Sequence, residues 1–262
     1  MFLAAALAVA QQFEVASVRP SGPDSPHGSD GGPGHKGPTR FSCGSCSLNL
    51  FIQIAWNVRP FQISSAQSLE KDVYDVAVNV PLGATKEDFR IMLQNLLKDR
   101  FGLKFHEESR EFAGYGLVVA KAGFALKDGE TSVPPRQATV NETPWPEFAT
   151  NAPKIISQLS GAGEYTLVRI KGHLQPISAL VGMLYPYMPE NRPLVDETGL
   201  TGKYSFEFEY TIEHPGSTSV ALPPAPSLFT ALQQEFGLQL VAKKLPFSVL
   251  VVESFNRVPS EN

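Results

Sequence analysis

Leu97-Lys-Asp-Arg-Phe101-Gly102-Leu103-Lys-Phe105 is the stretch on which the fold turns. It closes an apolar helical pattern, places glycine where a left-handed residue ends a helix, and starts a strand at once. The same arrangement returns 135 residues on as Leu232-Gln-Gln-Glu-Phe236-Gly237-Leu238-Gln-Leu240. Working outward from the first copy, Thr85 and Asp88 have the spacing of a capping box. They open a helix with Phe89, Met92, Leu93, Leu96 and Leu97 on one face. Upstream, Tyr74-Asp-Val-Ala-Val-Asn-Val80 alternates as a half-buried strand does and stops at Pro81. Ser47 is placed to cap an earlier helix bearing Leu48, Phe51, Ile52, Ala55 and Trp56, and a strand is expected about residues 61–64. Phe13-Glu-Val-Ala-Ser-Val18 reads as an opening strand, while residues 21–40, with six Gly and four Pro, read as an exposed irregular loop. Residues 103–107 and 115–120 complete the pattern as two antiparallel strands.

Other pieces keep nearly the same offset. Tyr74-Asp75-Val76 and Tyr204-Ser205-Phe206 lie 130 apart, as do Leu50, Phe51, Ile54 and Leu180, Val181, Leu184; Leu117-Val-Val119 and Leu250-Val-Val252 lie 133 apart. The opening strand departs from the rule, because Val15 and Val18 lie 152 residues before Leu167 and Ile170, an excess close to the length of the 21–40 loop. The expectation is an α+β fold made by tandem duplication of a β-α-β-β-α-β-β unit, with mainly antiparallel sheets and helices on one face. Residues 11–127 form the first repeat and 164–262 the second. Residues 128–163, rich through 153 in Pro, Thr, Asn and Glu with an isolated Trp145, are expected as a linker.

Composition narrows the function classes. Of 262 residues, 42% are hydrophobic and 18% charged, the proportions of a chain that builds a core. A net charge of −4 provides no basic field for a phosphate backbone, so nucleic acid is not an expected partner. Residues 1–10, an uncharged apolar run ending Ala8-Val9-Ala10, read as a secretory signal with an A-x-A site, and no later stretch is long and apolar enough to span a bilayer. The mature chain is expected to be extracytoplasmic, secreted or periplasmic.

Chemistry-bearing residues are few. Cys43-Gly-Ser-Cys46 lies just before the helix capped by Ser47; the favoured reading is a small structural disulfide tying down the long loop, with thiol-disulfide exchange as the alternative. His27 and His35 share the glycine-rich loop with Asp24 and Asp30 but fit no defined metal spacing. His106 and Glu108 share one face of a strand, with Glu107 on the other, and the second His of a zincin motif is absent. Asp196-Glu-Thr-Gly199 reads first as turn chemistry. His106, Glu108 and Asp196 are the surface candidates for a hydrolase with an unrecognised site. No Ser occupies a G-x-S-x-G elbow, and no catalytic group, cofactor or metal is expected. Asn141-Glu-Thr143 has the form of a glycosylation triplet.

Several stretches resemble a family of soil-associated, secreted, uncharacterised bacterial proteins abundant in Acidobacteria, whose C-terminal domain is of unknown function. They are Phe13-Glu-Val-Ala-Ser-Val-Arg-Pro-Ser21, Met92-Leu-Gln-Asn-Leu-Leu-Lys-Asp-Arg-Phe-Gly-Leu-Lys-Phe-His106, Pro193-Leu-Val-Asp-Glu-Thr-Gly-Leu-Thr-Gly-Lys-Tyr204 and Pro259-Ser-Glu-Asn262. The resemblance covers essentially the whole mature chain and implies no catalytic residue. The expected function is a non-catalytic binding or interaction module for a peptide, protein or envelope component, with the hydrolase and the thiol-disulfide protein as alternatives.

Overall fold

The computed structural model describes residues 12–130, 153–161, 165–213 and 225–260. The apolar run at 1–10, Trp145, the Asn141 triplet and most of the expected linker lie outside these residues. The chain divides into two compact units, residues 1–110 with 247–262, and residues 111–246.

In the first unit the chain runs β1 (Val15–Pro20), β2 (Gly28–Gly31), β3 (Arg40–Ser47), α1 (Leu48–Trp56), β4 (Ile63–Ser65), β5 (Val73–Asn79), α2 (Lys86–Phe101) and the start of β6 (Lys104–Val119). Ser47 caps α1 by accepting from the Leu50 N–H, and Thr85 and Asp88 form the capping box of α2. Gly102 ends α2 at φ 55, a conformation that costs glycine little. The sheet order is β1-β5-β3-β2, all antiparallel. Alternation along β3 and β5 sends Phe41, Tyr74, Val76 and Val78 inward, where they meet Phe51, Leu93, Leu97 and Phe101 of the helices in one apolar core.

The strand β2 corrects the sequence reading of residues 21–40 as structureless. Gly28-Ser-Asp-Gly31 has little strand propensity of its own; it is held by pairing with residues 41–44 of β3. Of the strand expected at 61–64, residues 61 and 62 belong instead to a 3₁₀ turn (Pro60–Gln62), and β4 begins at Ile63. The unit is closed by the end of β11 (Leu238–Ser254), where Leu250, Val251 and Val252 pair in parallel with Ile63, Ser64 and Ser65. Leu250, Val252 and Phe255 enter the core. The following residues cap α2: the Asn256 N–H donates to the Phe101 carbonyl at 2.7 Å and that of Ser260 to the Arg100 carbonyl at 2.8 Å.

The second unit contains the end of β6, then β7 (Lys154–Ser160), β8 (Tyr165–Gln175), α3 (Ile177–Leu184), β9 (Leu194–Asp196), β10 (Tyr204–Glu213), α4 (Leu228–Phe236) and the start of β11. Its antiparallel sheet has the order β10-β8-β7, so β7 is a strand inside the stretch read as linker. Val168, Ile170, Phe206, Phe208 and Tyr210 face Leu180, Leu184, Leu232 and Phe236. Here β9 pairs in parallel with Tyr115, Gly116 and Leu117 of β6. The Ala125 N–H donates to the Phe236 carbonyl at 3.0 Å, at the end of α4.

The two short strands expected at 103–107 and 115–120 are instead the single long strand β6, and Leu238–Ser254 is likewise one long strand, β11. Among the described residues the fold has mixed α and β content, antiparallel sheets, two short parallel pairings and four α-helices. No described helix is long and apolar enough to cross a membrane.

Candidate functional site

The outward face of the first sheet is built from the polar half of each strand's alternation. Register aligns Ser17, Ala77, Ser42 and Asp30 in one row across four strands. Arg19 and Asp75 stand on one side of that row, and Val15, Asn79 and Arg40 on the other. Because the central row carries only short side chains on three of its strands, the face is hollow. Two cavities of about 450 Å³ each share Ser17, Asp30, Ser42 and Ala77, forming one trough with Pro26 and His27 on its rim. Flanking rows lie two residues to either side, which sets the walls about 14 Å apart. Four strands give the trough a length of about 14 Å.

Asp75 organises one wall. Its Oδ1 accepts from the Ser21 hydroxyl at 2.6 Å and the Ser45 N–H at 3.2 Å; its Oδ2 accepts from the Ser25 hydroxyl at 2.7 Å. Arg19 lies 3.5 Å away. The hydrogen bond from Ser21, then that from Ser25, holds this carboxyl well below the usual range, at about 2. Residues 21–25 are thereby tied to β5.

The same carboxylate fixes a bulge in β3. Cys43 pairs with Val76 and Cys46 with Tyr74, so two residues of β3 face one of β5, and Ser45 takes φ 53. Cys43 and Cys46 are joined by a disulfide across the bulge, with 1% and 2% of their surfaces exposed. Gly44 is required there, because a Cβ would meet the Pro26 carbonyl oxygen at 2.3 Å.

The other sequence candidates have local partners. His106 Nδ1 lies 2.8 Å from Glu253 Oε1, and both side chains are half exposed. Glu108 pairs with Arg110 two residues along β6. Asp196 Oδ1 accepts from the Thr198 N–H at 3.0 Å and hydroxyl at 2.7 Å, an Asx turn. Neighbouring Glu197 receives Lys243 at 2.7 and 2.9 Å. His106 and Glu108 thus share a strand of the first unit, while Asp196 belongs to the second. Of the loop histidines, His27 reaches the trough and His35 lines an adjoining cavity of about 300 Å³ with Lys86 and Arg90, which shares Asp30 with the trough. No group of three or more His, Cys, Asp or Glu side chains is placed to hold a metal ion among the described residues.

Sequence reading missed Asp75, Ser17, Ser42 and Ala77 as site residues. The available signal was Asp75 itself, a carboxylate inside an otherwise apolar and small alternating run.

The second sheet treats the face opposite its apolar core differently, and buries charge on it. Arg169 reaches Glu207 at 3.2 Å and Lys171 reaches it at 3.5 Å, so long charged side chains stand where the first sheet has its trough. Its bulge lies between Gly172 and Gln175, opposite Phe206 and Tyr204. Leu174 takes φ 48 there, and its N–H donates to the Ser205 hydroxyl at 3.1 Å. In place of a disulfide, the Gln175 side-chain amide donates to the His173 carbonyl at 2.9 Å.

Fold and trough together define a mixed α and β protein whose antiparallel sheets leave one polar face hollow. The chain belongs to the family described as Protein of unknown function (DUF3738), which it matches over residues 49–255. No curated protein and no solved structure matches the chain.

Proposed function

We propose that the protein is an extracytoplasmic, non-catalytic binding module that holds an extended, polar peptide segment of a protein or envelope component in the trough of its first sheet. The observation that carries this reading is the hollow row of Ser17, Ala77 and Ser42 between polar walls. A length of about 14 Å takes about four extended residues. The hydroxyls of Ser17 and Ser42, the amide of Asn79, the carboxylate of Asp30 and the guanidinium of Arg40 offer donors and acceptors to a peptide backbone. The Cys43–Cys46 disulfide supports placement in an oxidising compartment, since cytoplasmic thiols are kept reduced.

The reading includes a tandem duplication, and the order of elements supports it. Both halves run β-β-α-β-β-α-β once β1 is set aside, and both carry a bulge with a left-handed residue before the first helix. By this match β3, not β1, corresponds to β8: Cys43 and Cys46 fall 129 residues before Gly172 and Gln175. The parallel ladders align Tyr115 with Leu250, an offset of 135 in place of the 133 read from the Leu-Val-Val motifs. Two residues is one strand period, so both alignments put the same side chains on the same face.

The test is capture on an array of tetrapeptides to hexapeptides and from solubilised envelope proteins, using the wild type and Ala77→Trp. An indole at position 77 fills the trough on the solvent side of the sheet, so the variant keeps its thermal midpoint and loses captured ligands at least tenfold. Equal capture by both proteins, no capture above background by the wild type, or turnover of a substrate in a hydrolase panel would each overturn the proposal.

A further inference from the structure

Each compact unit contains chain from both halves of the sequence. The first ends with Phe247 onward, and the second begins at Glu111. We infer that the two halves are each other's binding partner, an internal strand-exchanged pair in which the last strand of each half completes the unit founded by the other. The surface involved is the edge of a three-residue strand together with the open end of a long helix, and the partner it fits is the terminal strand and tail of a homologous half.

Four observations carry this. In the first unit β4 is covered by residues 250–252, and in the second β9 is covered by residues 115–117, both in parallel register. Parallel pairing excludes a tight hairpin, so each short strand must be covered by chain distant in sequence. The helix ends repeat the exchange: the Phe101 carbonyl accepts from Asn256, and the Phe236 carbonyl, 135 residues later, accepts from Ala125. The aromatic packing follows suit in the second unit, where Phe124 of the donated tail meets Tyr204 at 4.9 Å. In the first, the donated tail instead accepts a hydrogen bond from Tyr74, whose hydroxyl donates to the Arg257 carbonyl at 2.7 Å. Leu117 is fully buried and Val252 is 5% exposed in the unit each completes.

A linkage of this kind does not need a continuous chain between the halves. The inference rests on the duplicated-repeat reading for the equivalence of the parts, and it is independent of whether the trough binds peptide. The experiment places a site-specific protease sequence between residues 140 and 141 of the full chain, together with Ser64→Cys and Val251→Cys. These two positions face each other in the parallel ladder and are partly exposed.

After cleavage the pieces are expected to elute as one species of undiminished mass in native buffer. They should also run joined on a non-reducing denaturing gel and separate once a thiol is added. Pieces that part on the native column, or that stay together there yet form no cross-link, would overturn the exchange: the first outcome shows that the halves are self-contained, and the second that they dock without trading strands. Loss of peptide capture by Ala77→Trp bears only on the trough, so failure of one proposal is distinguishable from failure of the other.

Discussion

Replacing Asp75 by Asn keeps the shape of the side chain and removes its charge. The wild-type carboxylate takes three hydrogen bonds and the nearby Arg19, and these hold its pKa at about 2, against an ordinary 3.8. A shift of this size corresponds to about 2.4 kcal/mol if taken whole. Ser21 and Ser25, the largest contributors, are only half-buried and Arg19 has 73% of its side chain exposed, so competition from water and screening reduce the expected contribution to about 1–2 kcal/mol. The sign follows from the depressed pKa. The stabilisation is fully present above the unfolded value of 3.8 and is lost as pH falls from there through 2.

The assay is urea unfolding from pH 7 to pH 2, followed by the fluorescence of Trp56, whose ring packs on Phe105 in the same unit. Wild type should exceed Asp75→Asn by about 1–2 kcal/mol between pH 7 and pH 5, and the gap should close below pH 4. A gap independent of pH, or none at neutrality, would refute the assignment of Asp75 as the ionised centre of the β5 wall.

Three further outcomes follow from local geometry. Gly172→Ala sets a methyl 2.5 Å from the Phe206 ring and is expected to cost about 1–3 kcal/mol in the second unit, read as a lowered Tm. Thr85→Ala removes the cap of α2 and should lower stability by about 1 kcal/mol in denaturant titration, with Thr85→Ser restoring most of it. Replacing both Cys43 and Cys46 by Ser opens a very short loop and should cost about 2 kcal/mol, while hydrogen exchange at the Leu174 bulge, held by Ser205 and Gln175, stays unchanged.

Elements whose determinants are neighbours in sequence are legible in the sequence itself. The Thr85 capping box, the Ser47 cap, the Gly102 terminus and the alternation of β5 each need only a few adjacent residues, and all are found in place. The strand β2 was hidden because its glycines gain strand geometry only from β3. The length of β6 was hidden because His106 to Glu111 are all exposed, which erases the alternation that marks a strand. The trough was the least legible feature. Serine and alanine carry no chemical signature, and Ser17, Ser42 and Ala77 become one surface only when the register of three strands is known. The sequence candidates have local partners for a matching reason. His106, Glu108 and Asp196 were chosen for reactivity, and each is occupied by a nearby partner.

The composition of the first unit sets an order of events during synthesis. The Tyr74 hydroxyl waits for a carbonyl 183 residues downstream, and Asp72 for a guanidinium 185 residues downstream. While the ribosome is still producing β10 and α4, β4 and the end of α2 have no cover, and the first-made part of the protein remains its least finished part. Contacts of such long separation slow the final step of folding. A chain cut short by only the residues after Pro246 would lose the completion of its N-terminal unit while retaining every residue of the other.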